Sequence, residues 1–250
     1  MKLCVPIPCF YKCDPIEAIY QIAALGFHAV ESYDWKSLDI DGVRAACQES
    51  GVSFLSVCTT EFRMTDPAYR AAFLSGLEES CAAAVRLGAT RLITQVGNDT
   101  GAPREAQHAS IREACLAATP ILEKYGITLM LEPLNTLVNH PGYYLTSAKE
   151  AFAIIREVNH PLVKVVYDIY HQQVTEGNII PNVTENLDCI AHLHAAGHPG
   201  RNEPWLGESD YRNIFRAIEK AGYTGYCGLE YRPLFAPEDS LEQALALYGD

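Results

Sequence analysis

Four apolar, strand-like runs in the second half of the chain each end in a residue able to hold a metal ion. They are ITLMLEP at Glu132, VKVVYD at Asp168, AHLHAA at His194 and GYCGLEY at Glu230. One carboxylate at a strand end is more often a loop cap or a surface group. Four such residues on consecutive strands read differently, because three carboxylates and one imidazole make a donor set for one hard divalent cation. The oxygen-rich set suits Mn²⁺ or Mg²⁺ and accommodates Co²⁺, whereas Zn²⁺ usually takes more nitrogen or sulfur.

Other polar residues cluster around these four. Asn135 follows Glu132 by three residues, and His171 follows Asp168 by three, which puts it on the strand-to-helix loop, where its imidazole can meet a substrate oxygen; a plain surface histidine is the alternative. His192 shares a strand face with His194 by the twofold period, one layer deeper, as expected of a hydrogen-bonded histidine inside the sheet. Beyond His194 a long Pro/Gly-stiffened loop, GHPGRNEPW, carries Arg201 and Glu203, which with His171, Asn135 and Trp35 make the candidate substrate-binding set. Long loops on such a rim tend to be functional. The planar fork of Arg201 fits a substrate carboxylate or hydroxyl, and an Arg201–Glu203 ion pair is the competing use. Phe10, Tyr11, Trp35 and Trp205 serve either as a pocket wall or as packing.

These groups converge only if the strand ends do. Successive ligand positions lie 36, 26 and 36 residues apart, room for a loop, a helix and the next strand. The same rhythm runs from the N-terminus. Strands are read at 2–6, 28–31, 52–59, 91–96, 127–132, 163–168, 190–195 and 226–230. Helices are read after Asp14-Pro15, at 39–49, from Asp66-Pro67 to Leu87, at 104–125, 147–158, around 184–188, at 210–221 and from about Pro237. Glycines at 26, 51, 88 and 126 stop helices. Nearly continuous apolar strands alternating with helices predict a parallel sheet covered on both faces. A single (β/α)8 TIM barrel over residues 1–250 is the simplest form, and its C-terminal rim gathers strand ends into one bowl. The first strand runs into PIPCFYK, with no Gly-rich dinucleotide fingerprint.

With 250 residues the chain has the length of one such barrel. Its formal net charge of −12 argues against nucleic acid or anionic lipid as a partner, and no apolar run approaches the roughly 18 residues of a membrane span. The nine cysteines are scattered through apolar segments, which reads as buried thiols in a reducing cytoplasm. Cys4, Cys9 and Cys13 lack the spacing of zinc pairs. No signal-peptide pattern is read at the N-terminus.

The chain resembles the hydroxypyruvate isomerase group of the xylose isomerase-like barrels. The likeness runs over most of the chain and is carried by GFHAVE (26–31), LEPLN (131–135), PGYYL (141–145), YDIYHQQ (167–173), HPGRNEP (198–204), GESDY (207–211) and GLEYRP (228–233). The resemblance implies that Glu132 and Glu230 are both metal ligands and the acid/base pair, that Asp168 is a ligand, and that His171 and Arg201 contact substrate oxygens. Hydroxypyruvate isomerases typically carry Gln where this chain has His194, and the related ketose 3-epimerases carry His. Endonuclease IV, in the same superfamily, needs further histidines on strands three and four; here those strands end in Thr59-Thr60 and Gln95. The implied activity is proton transfer next to the carbonyl of a small hydroxy-keto acid or sugar. Ketose 3-epimerisation, a lyase or dehydratase on the same metal platform, and a noncatalytic sugar-binding barrel remain alternatives. An unphosphorylated substrate is preferred, because no Gly-rich phosphate cradle is present. Relatives often assemble as homo-oligomers.

Overall fold

Chain reversals in this protein depend on residues that accept a positive φ. Helices α3 (Ile40–Ser50), α4 (Arg70–Leu87) and α5 (Arg104–Tyr125) stop at Gly51, Gly88 and Gly126, all left-handed, and α6 (Ala148–Val158) stops at Asn159 in the same conformation. Each stop delivers the chain into a strand a few residues later. The computed structural model describes residues 1–249.

The strands are β1 (Lys2–Pro6), β2 (Ala29–Glu31), β3 (Ser53–Phe54), β4 (Ser56–Cys58), β5 (Arg91–Thr94), β6 (Thr128–Leu131), β7 (Val163–Asp168), β8 (Ile190–His194) and β9 (Tyr226–Gly228). All pair in parallel, in the order β3-β2-β1-β9-β8-β7-β6-β5-β4. The two end strands are halves of one segment interrupted at Leu55. Leu55 N–H donates to Val30 O and Cys58 N–H to Tyr33 O on one side, while Thr59 N–H donates to Ile93 O on the other. The sheet ends therefore meet, and eight staves make a (β/α)8 barrel.

The remaining helices are α1 (Ile7–Phe10), α2 (Pro15–Ala24), α7 (Ile169–Thr175), α8 (Ile179–Thr184), α9 (Tyr211–Lys220) and α10 (Pro237–Tyr248). Strand residues that face outward, such as Leu129, Leu131, Val163, Val165, Leu193 and Cys227, belong to one large core shared with the helices. Inward-facing residues form separate small clusters: Ile93, Met130 and Val166 on one side, Cys4, Ala29 and Leu55 on the other. With a side-chain period of two, Met130 and Glu132 face inward together, as do Val166 and Asp168, and His192 and His194.

Beyond shifts of element bounds, the observed strands and α-helices differ from the sequence reading in four places, the first being the short helix α1 directly after β1. The third strand is split at Leu55. The helix expected around 184–188 lies at 179–184, followed by a 3₁₀ turn at 187–189. An unexpected short helix, α7, begins immediately after Asp168, so His171 sits in a helical first turn and not on an open loop. Asp168 causes this itself: its Oδ1 accepts from Tyr170 N–H at 2.8 Å and from His171 N–H at 3.4 Å, as an N-cap does. Among the described residues no helix is long and apolar enough to cross a membrane.

Candidate metal centre

Glu132, Asp168, His194 and Glu230 come together at the C-terminal rim. Each offers a donor atom, and the four donors all lie within 4.8 Å of one another. Donors on opposite sides of a cation at ~2.1 Å stand ~4.2 Å apart, so only a small contraction is required. Asp168 and His194 are fully buried, while Glu132 and Glu230 are slightly open toward the mouth. The His194 Nδ1 atom stands 3.2 Å from Glu230 Oε2 and 3.8 Å from Glu132 Oε1. It is buried and has no aligned hydrogen bond. An orphaned nitrogen facing three carboxylates is the environment a divalent cation would complete, so the donor set fits the expected ion.

The local sequence fixes these groups. Tyr143, from the PGYYL segment, donates its hydroxyl to the Glu132 carbonyl and accepts from Val96 N–H, both at 2.9 Å. Gln172 ties Pro133 O, at 3.1 Å, to Ala148 N–H, at 3.2 Å. The LEP loop is thereby held to both neighbouring staves.

Charge in the site is finely divided. Burial pushes the Asp168 carboxyl up to about 7; the Arg201 guanidinium opposes that shift and the charge of Glu230 adds to it. Burial also disfavours ionised Glu230, but His194 and Arg201 outweigh it and hold that carboxyl below the usual carboxylate range. His194 is likewise penalised by burial, yet the charges of Glu31 and Glu230 push it well above an ordinary imidazole.

Arg201 reaches over the site. Its Nη2 donates to Glu230 Oε2 at 2.6 Å and to Asp168 Oδ2 at 3.3 Å. The loop is pinned for this: Arg232 N–H donates to Arg201 O and Asn202 Nδ2 to Arg232 O, both at 2.8 Å. Arg201 itself takes a left-handed φ of 56°. The Arg201–Glu203 ion pair is not formed, Arg201 pairing with Asp168 and Glu230 instead, and Glu203 is not among the four clustered donors. It is fully buried, with Oε1 accepting from Leu234 N–H at 2.8 Å and Ser240 Oγ at 3.0 Å, which makes it an anchor between two rim loops.

His171 and Asn135 work as a unit. The His171 Nδ1 atom accepts from the Asn135 backbone N–H at 3.1 Å and lies 2.7 Å from its side-chain amide nitrogen. An acceptor Nδ1 puts the proton on Nε2, which stands 3.5 Å from Asp168 Oδ2 and has no other partner. Burial, reinforced by Arg201, holds the ring well below its ordinary pKa, so it is neutral. Asn135 thus positions His171, and its Oδ1 accepts from Val138 and Asn139 N–H. Trp35 is half-buried against the core, and no contact joins it to the four donors. Phe10 and Trp205 pack edge-on against Tyr231, beside Glu230.

Two groups escaped the sequence reading. Tyr33 lies against Glu230: burial, then the charge of Glu230, pushes its phenol well above the usual range, and its hydroxyl is 2.9 Å from Cys9 Sγ. Glu31, the last residue of β2, is buried beneath the site, with Oε1 at 3.2 Å from His194 Nε2 and Oε2 at 3.1 Å from His192 Nε2. Burial would raise its pKa, but the two imidazoles prevail and hold it well below the carboxylate range. The signal was present: Glu31 also closes an apolar strand.

The sequence matches the model of the xylose isomerase-like TIM barrel family over residues 19–248. The chain belongs to that family. Among relatives of this barrel, a Danio rerio protein provisionally named a hydroxypyruvate isomerase is 30% identical, over 88% of this chain and 85% of its own length. The hydroxypyruvate isomerase of Escherichia coli K12 is 36% identical over 65% of each chain. A solved structure described as AP endonuclease, family 2, from Brucella melitensis superposes with a TM-score of 0.93 at 26% identity, covering all of both chains. D-psicose 3-epimerase from Clostridium cellulolyticum H10, solved with D-tagatose, gives 0.83 at 18% identity over 98% of this chain and 97% of that one.

Proposed function

We propose that this chain is a divalent-metal-dependent isomerase of a small hydroxy-keto acid or sugar, of the hydroxypyruvate isomerase kind. The observation that carries the proposal is the meeting of the Glu132, Asp168, His194 and Glu230 donors within 4.8 Å. The names of the relatives, isomerases and an epimerase, support the same class.

A cation bound there, Mn²⁺ or Mg²⁺ from the donor set, supplies Lewis acidity to a substrate carbonyl. The protein's own groups do the proton chemistry. Glu132 and Glu230 each carry two oxygens, so one can serve the cation while the other exchanges a proton with substrate carbon. One of the two glutamates removes that proton and the other can return it, both standing in the four-donor cluster. His171 offers a neutral Nε2–H to a substrate oxygen, and Arg201, already poised between Asp168 and Glu230, offers a fork to a carboxylate or hydroxyl. Positioned acid/base groups contribute roughly 10²–10⁴-fold.

His194 favours one second reading. Where the resembling isomerases carry Gln, this chain carries the histidine of the ketose 3-epimerases, and two glutamates flanking one carbon suit inversion as well as transfer between carbons. The nuclease name of the Brucella structure finds less support: the third stave ends in Thr59-Thr60, Gln95 follows β5, and the net charge is −12.

The test is a screen of C3 to C6 keto acids and ketoses with Mn²⁺ in deuterated water. The proposal expects a product of the same skeleton with deuterium on one carbon next to the carbonyl. Loss of water from the product, or no exchange on any substrate, would contradict it.

A further inference from the structure

The imidazole of His194 has two nitrogens, and they face different surroundings. Nδ1 faces Glu230 and Glu132; Nε2 faces Glu31 Oε1 at 3.2 Å. The second oxygen of Glu31 accepts the Ser56 hydroxyl at 2.7 Å and lies 3.1 Å from His192 Nε2. Glu31, Ser56, His192 and His194 are all essentially inaccessible to solvent. A buried carboxylate is costly unless paired, and this one is surrounded by two imidazoles and a hydroxyl from two other staves.

Gly228, paired with His194 across β8 and β9, makes the arrangement possible. A Cβ at position 228 would stand 2.2 Å from Glu31 Oε1 and 2.7 Å from His194 Cδ2. No side chain fits there without driving the carboxylate and the imidazole from their places.

We propose that Glu31 is a positioning residue for the cation: it takes the Nε2–H of His194 and so presents Nδ1 to the three carboxylates. Ser56 and His192 hold Glu31, and Gly228 gives it room. A neutral imidazole carries a single N–H, and the partner of one nitrogen decides which nitrogen is left to bind metal. Removing such an outer partner typically costs about 10–100-fold in metal affinity. This inference rests on the metal-site reading above. Glu31 is fully buried and is not one of the four clustered donors.

The experiment uses the full chain stripped with a chelator, titrated with Mn²⁺ by electron paramagnetic resonance, as wild type, Glu31→Gln, Ser56→Ala and Gly228→Ala. Wild type loaded with Mg²⁺ and labelled with ¹⁵N-histidine then reports the His194 tautomer through long-range ¹H–¹⁵N correlation. Expected are one tight Mn²⁺ site in wild type, about 10–100-fold weaker binding in Glu31→Gln, a smaller loss in the same direction in Ser56→Ala, a loss at least as large as that of Glu31→Gln in Gly228→Ala, where the added Cβ crowds His194 itself, and an Nε2–H tautomer in wild type. Wild-type affinity in a folded Glu31→Gln protein overturns the role of Glu31 alone. So does an Nδ1–H tautomer in wild type, a result that needs no variant to fold. Failure of wild type to bind Mn²⁺ overturns the metal-site reading itself.

Discussion

Met130 and Glu132 lie two residues apart and both face into the barrel, as do Val166 and Asp168 on the adjoining stave. Beside the two carboxylates the interior is apolar: Met130 and Val166 pack with Ile93 in a small cluster. Beneath His194 the interior is polar, with His192, Glu31 and Ser56 joined by hydrogen bonds and ion pairs. The difference follows from the donors. A carboxylate anchored to a strand end needs only to be placed, and packing does that. An imidazole has a second nitrogen that must be satisfied, and satisfying it inside a barrel calls for a buried acid with partners of its own.

The sharpest way to break this division is to set the rim layer against the apolar layer on one stave. Glu132→Gln, and likewise Glu230→Gln, should lower turnover by roughly 10²–10⁴-fold or more with little change in melting temperature. Met130→Ala should do the reverse, costing about 2–5 kcal/mol of stability while Mn²⁺ affinity stays close to wild type. Kinetics, thermal melts and Mn²⁺ titration on the three variants decide it, and a Met130→Ala protein that is stable but inactive would erase the distinction.

Next in size is removal of a ligand. Asp168→Asn should weaken Mn²⁺ binding by more than the about 10–100-fold expected for an outer partner, and chelation of wild type should abolish isomerisation until Mn²⁺ or Mg²⁺ is returned. Activity that survives exhaustive chelation would refute metal dependence.

A smaller effect is expected at His171. Asn135 occupies its Nδ1 and leaves Nε2–H without an aligned partner, so His171→Phe should cost about 1–3 kcal/mol in kcat/KM and leave Mn²⁺ affinity near wild type. A large loss of Mn²⁺ binding would place His171 among the ligands instead.

The alternation of strands and helices was legible because its punctuation is chemical: glycines at 51, 88 and 126 take the left-handed conformation that ends a helix, and each is followed by an apolar run. Helix α7 was not legible. It is seven residues long, and its N-cap, Asp168, reads equally well as a ligand; in the structure one oxygen caps the helix while the other faces Arg201. The four donors could be picked out because each closes a strand. Glu31 closes one too, but it follows a three-residue strand in the first half of the chain, away from the others in sequence, and only barrel closure brings it under His194. The anchoring role of Glu203 was not legible: it sits on a rim loop, and its Oε1 accepts from the backbone at 234–235 and from Ser240. Nothing in sequence spacing tells a loop acid that turns inward to hold a neighbouring loop from one that faces the mouth.

The smallest effect concerns the thiols. All nine cysteines are unpaired, and Cys13 is the exposed one. Burial pushes Cys81 and Cys115 up to about 12, and Cys9 reaches about 12 through burial and the charge of Glu230. At pH 8 these groups stay protonated and unreactive, since the thiolate is the nucleophile. A thiol reagent should therefore label Cys13 first in native protein and all nine after denaturation; rapid native labelling of Cys81 or Cys115 would show that the helix layer opens.

Glu132, Asp168, His194 and Glu230 are proposed to hold one cation at the barrel mouth. Anomalous diffraction from crystals grown with Mn²⁺ tests it most directly. A single strong peak is expected, bonded to one oxygen from each of the three carboxylates and to Nδ1 of His194, at about 2.0–2.4 Å. No peak among these four side chains, or a peak held by other residues, would contradict it.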